Sequence, residues 1–341
     1  ERAVVDIASR LPAFGFRTRV LTVCGGGGMK PLFESAGVEV VVCPRVSRMA
    51  SIRFLREQIH RERPDVWHTH LGADLWGGWA GFREGIHPWV VTLHNEDRDL
   101  TLGYHLARRV VYQFADQIVC VSSTVKQFAQ RRYHVQNDRL SVIPNGIDLS
   151  RATIRPSHSF HDIPRLVSVG RLTRQKDHAV LLKALSLVRR PWQLDILGDG
   201  PERFPLQELA ASLGILPRVR FFGSVDDVSQ RLSSADLLCF PSRWEGQGIA
   251  LLEAASSCLP ILASDLPAIR EMFDDYALTF VAPGAVAAWA EKIEKILADP
   301  STAMAKTVRA AAIVNERFTL DASVEKYARL YRRLLGRGGK I

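Results

Sequence analysis

Short β-rich runs alternate with amphipathic helical stretches along the chain, and the alternation is played through twice. The first series of strands reads RTRVLTV (17–23), VEVVV (38–42), DVWHT (65–69), WVVTL (89–93), QIVCV (117–121) and RLSVI (139–143), with helices expected between them, for example at 51–63, 101–115 and 123–133. The second reads RLVSV (165–169), QLDIL (193–197), VRFF (219–222), DLLCF (236–240), PILA (260–263) and ALTFV (277–281). Apolar strands separated by helices predict parallel sheets covered on both faces. PNGID at 144–148 is a turn signal, and the polar, irregular 150–164, with Pro156 and Pro164, reads as a linker. A chain of 341 residues is too long for one ordinary core. The expectation is therefore an α/β protein of two doubly wound, Rossmann-like domains, 1–160 and 161–319. Helices are expected at about 286–299 and 302–315, and a terminal helix at 320–335 packs back on the first domain. Ligands of such domains bind at the carboxyl ends of the strands, and a cleft between domains is a natural site.

The 47% hydrophobic and 24% charged composition is that of a soluble globular protein, and no apolar stretch has the length of a membrane-spanning helix. No signal peptide is visible in a chain that starts at Glu1. Cys24, Cys43, Cys120, Cys239 and Cys258 form no C-x-x-C pair, so buried, reduced thiols in a cytoplasmic protein are the simplest reading. Residues 1–160 hold 21 Lys and Arg against 15 Asp and Glu, a net +6 of the total +9. An anionic partner of that half is thus a lipid headgroup, an acidic glycan or nucleic acid. With no zinc-finger or RNP-type motif, nucleic acid is set aside. The helix at 51–63 sets Arg53, Arg56, Arg61 and Arg63 beside Ile52, Leu55 and Ile59, and Arg108, Arg109, Lys126, Arg131 and Arg132 follow at 108–132. A basic amphipathic surface of this kind rests on an anionic membrane, here its inner face; a solvated charged helix face is the bland alternative.

The segment PSRWEGQGIALLEAASSCLPILASD (241–265) places Glu245 and Glu253 eight residues apart, with Gly246 and Gly248 opening an apolar helix. Eight helical residues span about 12 Å, which suits two hydroxyl-bearing ends of one extended ligand. The amides at the helix start favour an anion. SVGRLTRQKD (168–177) follows a strand and opens a helix, so Arg171 and Lys176 lie in a strand-to-helix loop where a guanidinium and an ammonium suit a diphosphate. LGDGPE (197–202) is another strand-end glycine turn. Taken singly, each of these is also an ordinary loop, turn or core helix.

In order, G-R-L…K, G-D-G-P-E, F-F-G and P-S-x-x-E-G-x-G…L-E-A closely resemble the nucleotide-sugar half of the family 4 retaining glycosyltransferases, of GT-B fold. HTH (68–70), TLHN (92–95), PNGID and the terminal ERFTLDASVEKYARLYRRLL (316–335) are similar to the family's segments in the rest of the chain. The resemblance implies a nucleoside diphosphate sugar donor, UDP before GDP, a glycan or lipid-linked hydroxyl acceptor, and no metal or other cofactor. It implies that Arg171 and Lys176 hold the diphosphate, that Gly170 and Gly198 line the donor site, and that Glu253 accepts from the ribose. Glu245 with Gly246, Gln247, Gly248 and Ile249 then faces the transferred sugar and the phosphates, the base rests near Phe222, Gly223, Ser224 and Val225, and His94 approaches the sugar from the first domain. Gln247 departs from the family's apolar or aromatic residue, and DLPAIRE (265–271) lacks the usual glycine pair. The segment led by Glu1 resembles the helix after the family's first strand and Gly-rich turn. A shortened N-terminus is thus expected, with a gap in the first sheet between 17–23 and 65–69.

Other readings stand beside this one. His68-x-His70 with His94 resembles the start of a metal hydrolase site, but all ten histidines lie at or before His178, away from the later strands such a barrel would use. Asp97-x-Asp99 resembles the metal motif of the other large glycosyltransferase fold; a solvated loop explains it as well. Gly25–Gly28 lacks Walker spacing. A GT-B epimerase or phosphorylase, and a truncated, inactive paralogue that binds nucleotide or serves as a subunit, are the functional alternatives.

Overall fold

The computed structural model describes residues 2–23, 29–43, 48–154 and 159–338; Glu1, Cys24, the Gly25–Gly28 run and part of the expected linker lie outside them. The chain divides into two compact units, Glu1–Gly146 with Leu320–Ile341, and Ile147–Thr319. The boundary falls before the polar stretch rather than within it, because 147–153 is tied to the second unit. The Ile147 amide donates to Phe318 O at 2.9 Å, the Thr153 amide donates to Ser229 Oγ at 2.9 Å, and the Ser229 hydroxyl donates to Arg151 O at 2.7 Å.

The first unit runs α1 (Arg2–Arg10), β1 (Arg19–Thr22), α2 (Lys30–Ser35), β2 (Glu39–Val42), α3 (Arg48–Glu62), β3 (Trp67–His70), α4 (Asp74–Arg83), β4 (Trp89–Leu93), α5 (Leu102–Val111), β5 (Gln117–Cys120), α6 (Ser123–Tyr133) and β6 (Leu140–Val142). Its strands form two parallel ladders, β1-β2 and β3-β4-β5-β6. Among the described residues β1 and β3 share no ladder, which is where the gap in the sheet was expected. Every residue of β4 and β5 is buried, as interior parallel strands require. Helix α6 starts where the Ser122 hydroxyl accepts from the Val125 amide and ends on His134 in the left-handed region.

Helix α4 is not among those the pattern singles out, and its sequence shows why. Its sequence DLWGGWAGFR is poor in helix formers, yet the glycines are what the packing needs. A Cβ at Gly78 would lie 2.2 Å from the Trp89 indole, and one at Gly81 would lie 2.7 Å from that of Trp67. The helix thus lies directly on two tryptophans. They are fixed by hydrogen bonds from Trp67 Nε1 to Gly77 O (2.8 Å) and from Trp89 Nε1 to Thr69 Oγ1 (3.0 Å).

The basic helix α3 corrects an expectation. Ile52, Leu55 and Ile59 are buried, the last two packing with Ala80 and Ile86, so its apolar stripe belongs to the core and faces no membrane. Arg108 is buried too. No helix among the described residues is long and apolar enough to cross a membrane. Cys43, Cys120 and Cys239 are buried thiols, and Cys258 is half-buried.

The second unit runs β7 (Arg165–Val169), α7 (His178–Leu185), β8 (Gln193–Leu197), α8 (Arg203–Ser212), β9 (Val219–Gly223), α9 (Val228–Ser233), β10 (Leu237–Phe240), α10 (Ile249–Ser256), β11 (Ile261–Ser264), α11 (Pro267–Arg270), β12 (Thr279–Val281), α12 (Val286–Ala298) and α13 (Ser301–Arg317). Its six parallel strands are ordered β12-β11-β10-β7-β8-β9 with helices on both faces, a doubly wound sheet with separate apolar cores on either side. The strand order reverses between β7 and β10, so the carboxyl ends of these two strands mark the ligand-binding edge. Helix α14 (Leu320–Gly338) returns to the first unit, where Leu320, Val324, Tyr327 and Tyr331 join Ile7, Leu11, Val90 and Val119 in one core.

Candidate active site

In the second unit the carboxyl ends of β7, β8 and β9 are laced together through glycines. The Gly170 amide donates to Leu197 O (2.9 Å), Gly198 to Gly223 O (2.8 Å) and Leu172 to Asp199 O (2.9 Å). Gly198 has φ of 138°, and a Cβ there would lie 2.0 Å from Gly170 O, so no other residue allows the two loops this approach. The result is a rim of bare backbone at the switch point. Arg171 stands on that rim, exposed and in no ion pair among the described residues.

The β7–α7 loop is stapled to the loop after β10. Lys176 Nζ lies 2.6 Å from Glu245 Oε1, which also accepts from the Ser242 hydroxyl at 2.7 Å. The Lys176 ammonium sits 4.8 Å over the Phe240 ring. One residue further along, Asp177 takes Arg243 in a two-pronged ion pair, Nε to Oδ2 at 2.7 Å and Nη2 to Oδ1 at 3.2 Å. Gln175 exchanges backbone and side-chain bonds with the same loop, accepting from the Arg243 amide (2.8 Å) and donating to Trp244 O (2.9 Å). Asp177 holds a left-handed backbone (φ 48°), the region glycine usually supplies. His178 is buried beside Lys176, and both effects, burial first, lower its pKa to about 3.

Glu245, Gly246 and Gln247 are buried in the loop, and Gly248, with φ of 88°, caps α10 ahead of Ile249. Glu253 is half-buried one turn into that helix. At the end of β9, two guanidiniums lie over the Phe222 ring, Arg231 at 4.1 Å and Arg220 at 5.5 Å, and Gly223 turns the chain (φ 73°) toward the exposed Ser224 and half-buried Val225. Of the residues singled out from sequence, Lys176 and Glu245 touch, and Gly170, Gly198 and Gly223 form one rim. Ser242, Gln175 and the Asp177–Arg243 pair escaped sequence reasoning. Nothing in a single sequence ties residues 66 apart; only their position beside Lys176 and Glu245 hinted at them.

In the first unit His68 and His70 share one face of β3, with ring centroids 4.0 Å apart. His68 is spoken for on both nitrogens, Nδ1 by the Tyr331 hydroxyl (2.5 Å) and Nε2 by the Thr92 hydroxyl (2.7 Å), so it ties β3 to α14. His70 Nδ1 lies 3.0 Å from His94 Nε2, so one ring donates and the other accepts. Burial is the first cause that keeps all three rings neutral, with His68 and His94 lowered to about 3. Among the described residues no group of three or more His, Cys, Asp or Glu side chains is arranged to hold a metal ion. Asp97 of the D-x-D run is instead a structural partner, 2.5 Å from the buried Arg108, which Asp74 also pairs at 2.8 Å.

Comparisons with known proteins place this arrangement. The family model "Glycosyl transferases group 1" matches residues 150–313, and "Glycosyltransferase Family 4" matches residues 1–151. Alpha-D-kanosaminyltransferase of Streptomyces kanamyceticus is 29% identical over 190 residues, covering 54% of this chain and 49% of that protein. A phosphatidyl-myo-inositol mannosyltransferase of Mycobacterium leprae is 27% identical over 362 aligned positions, covering 99% of this chain and 94% of the other. The structure of Anabaena Alr3699/HepE in complex with UDP and glucose superposes with a TM-score of 0.87 at 21% identity, over 98% of this chain and 95% of that one. Two Rossmann-like units, a glycine rim at the switch point of the second, and family models that together span residues 1–313 make this chain a family 4 glycosyltransferase of the GT-B type.

Proposed function

We propose that the chain moves a sugar from a nucleoside diphosphate donor, UDP before GDP, to a hydroxyl of a glycan or lipid-linked acceptor, with retention of anomeric configuration and without a metal ion. The observation that carries this is the Lys176–Glu245 contact beside the glycine rim. A diphosphate against Gly170 and Gly198 meets bare backbone, with Arg171 and Lys176 as its cations. As the bond from the anomeric carbon to the phosphate oxygen breaks, negative charge gathers on the leaving phosphate, and fixed cations lower that barrier. Glu245, released from Lys176 by the incoming phosphate, then accepts from a hydroxyl of the sugar, and Glu253 accepts from the ribose. The leaving phosphate takes the acceptor proton on the face it departs from, so configuration is kept. The base is assigned to Phe222–Val225, the sugar also to Gly246–Ile249 and to His94. UDP and glucose in the HepE complex and the lipid named for the mannosyltransferase support the donor and acceptor classes. A role in building cell-surface polysaccharide, at the inner face of the membrane, fits both.

The test is calorimetry with UDP and GDP, together with nucleotide release from a donor panel. Glu253→Ala weakens nucleotide binding by about 1.5–3 kcal/mol, the worth of a charged hydrogen bond, whereas Glu245→Ala lowers kcat more than nucleotide affinity. EDTA leaves turnover intact. Unchanged affinity for both nucleotides in Glu253→Ala defeats the assignment, and a strict need for a divalent ion defeats the metal-independent step.

A further inference from the structure

Half-way through the first unit, α4 and α5 expose an apolar stripe that the fold does not use. Leu102, Leu106 and Val110 follow one another at four-residue intervals on one face of α5, and Phe114 comes next in the 3₁₀ turn (Tyr112–Phe114) that continues the helix. The Phe114 ring lies tilted against Phe82 at 4.8 Å between centroids, and Phe82 stacks on Trp79 at 6.1 Å, so the stripe continues from the end of α5 onto α4. Each of these six side chains is between 39% and 64% exposed. Large apolar side chains gathered in this way mark a contact surface.

The charges around the stripe identify what it meets. Arg83 lies 5.9 Å over the Trp79 ring, and Arg109 stands exposed between Leu106 and Val110 in sequence. Arg132, on the adjacent α6, is close enough to His105 of α5 to help lower its pKa. None of these three guanidiniums has an ion pair among the described residues. Of the nearby carboxylates, Glu84 is engaged by Arg56, Asp116 by His87, Glu96 by Arg98, and Asp74 and Asp97 by Arg108, which leaves the exposed Asp99, just ahead of Leu102, as the one carboxylate beside the stripe without an ion pair among the described residues. A second copy docked face to face would set unpaired guanidiniums against each other. An anionic sheet of headgroups neutralises them, while aromatic and aliphatic side chains enter the boundary beneath.

We propose that this stripe, Trp79–Phe82–Phe114–Val110–Leu106–Leu102 with Arg83 and Arg109, is the face by which the protein lies on an anionic lipid surface. The proposal deepens the lipid-linked reading of the acceptor and rests on it. It moves the contact from α3, whose apolar face is buried, to α4 and α5.

The experiment is co-sedimentation of the full chain with vesicles of phosphatidylcholine and phosphatidylglycerol at 3:1, against phosphatidylcholine alone. Binding is expected to the mixed vesicles, weakened as salt rises to about 0.5 M. Leu106→Asp with Val110→Asp should lower vesicle affinity by about tenfold or more. Arg83→Ser and Arg109→Ser should each cost about fivefold on the mixed vesicles and little on the neutral ones. Nucleotide release from the sugar donor, measured without vesicles, should be unchanged in all four substitutions, which shows that the variants fold. Three results overturn the proposal: no binding at low salt, equal binding to neutral vesicles, or a wild-type dimer in light scattering that Leu106→Asp disperses. Lost vesicle binding with donor turnover intact refutes the surface alone. Vesicle binding without any donor turnover refutes the transferase reading and leaves the surface standing.

Discussion

The Asp177–Arg243 pair offers the sharpest test of how the candidate site is built. Arg243→Ala removes two charge-assisted hydrogen bonds from a carboxylate whose side chain is 4% exposed, while the arginine side chain is itself 45% exposed. Breaking a fully buried pair costs about 3–5 kcal/mol. Here water reaches the arginine side and screens part of the interaction, so a loss of about 1.5–3 kcal/mol is expected. Asp177→Ala loses the same bonds and keeps a side chain at φ 48°, whereas Asp177→Gly relieves about 1 kcal/mol of left-handed strain and is the milder change. Function should fall with stability, because Lys176 adjoins Asp177 and Glu245 lies two residues from Arg243. A shift of about 1 Å in either group costs up to ~100-fold in turnover. The assay is a double-mutant cycle on denaturant midpoints, run alongside kcat and KM for nucleotide release. Additivity to within about 0.5 kcal/mol, with kcat unchanged in Arg243→Ala, refutes the clamp.

Gly78→Ala gains about 1 kcal/mol of helix propensity but drives a methyl into the fixed Trp89 ring, an overpacking cost of about 3 kcal/mol or more. Gly103→Ala, in open space on α5, should gain without the cost, so a thermal midpoint for Gly78→Ala at or above wild type contradicts the packing argument. His68, His94 and His178 are held near 3, below the ordinary 6.5, so the unfolded chain takes up protons that the folded one refuses. Stability is therefore present above about pH 6.5 and drains away as pH falls toward 3. The limiting slope is about 1.4 kcal/mol per pH unit for each proton that the unfolded chain takes up and the folded one refuses. Equal denaturant midpoints at pH 7 and pH 5 contradict it.

The strands of both units are legible because interior parallel strands must be apolar along their length. WVVTL, QIVCV and DLLCF therefore stand out from the amphipathic helices around them. The glycine turns after β7 and β8 are legible for a related reason: backbone that meets a ligand, or another loop, at close range cannot carry a side chain. Helix α4 is not legible, since three glycines in ten residues argue against a helix until the two tryptophans beneath are known. The basic helix α3 misleads in the opposite direction. Its arginines suggest a surface, but periodicity alone does not tell an apolar stripe that faces lipid from one that faces the core. His68 gives no hint of its partner, because Tyr331 is 263 residues away.

The return of α14 to the first unit decides when the protein can finish folding as it leaves the ribosome. The second unit is one uninterrupted stretch and holds all of its own strands by the time Thr319 has emerged. The first unit is synthesised earlier but lacks Leu320, Val324, Tyr327 and Tyr331, which complete the core around Val90 and Val119. Until those last residues appear, that core stays open to water, and the hydroxyls that hold His68 and Thr92 are missing. The unit whose synthesis starts first is thus completed only after the second has been made, so a stop codon placed just before Leu320 damages the first unit and spares the second.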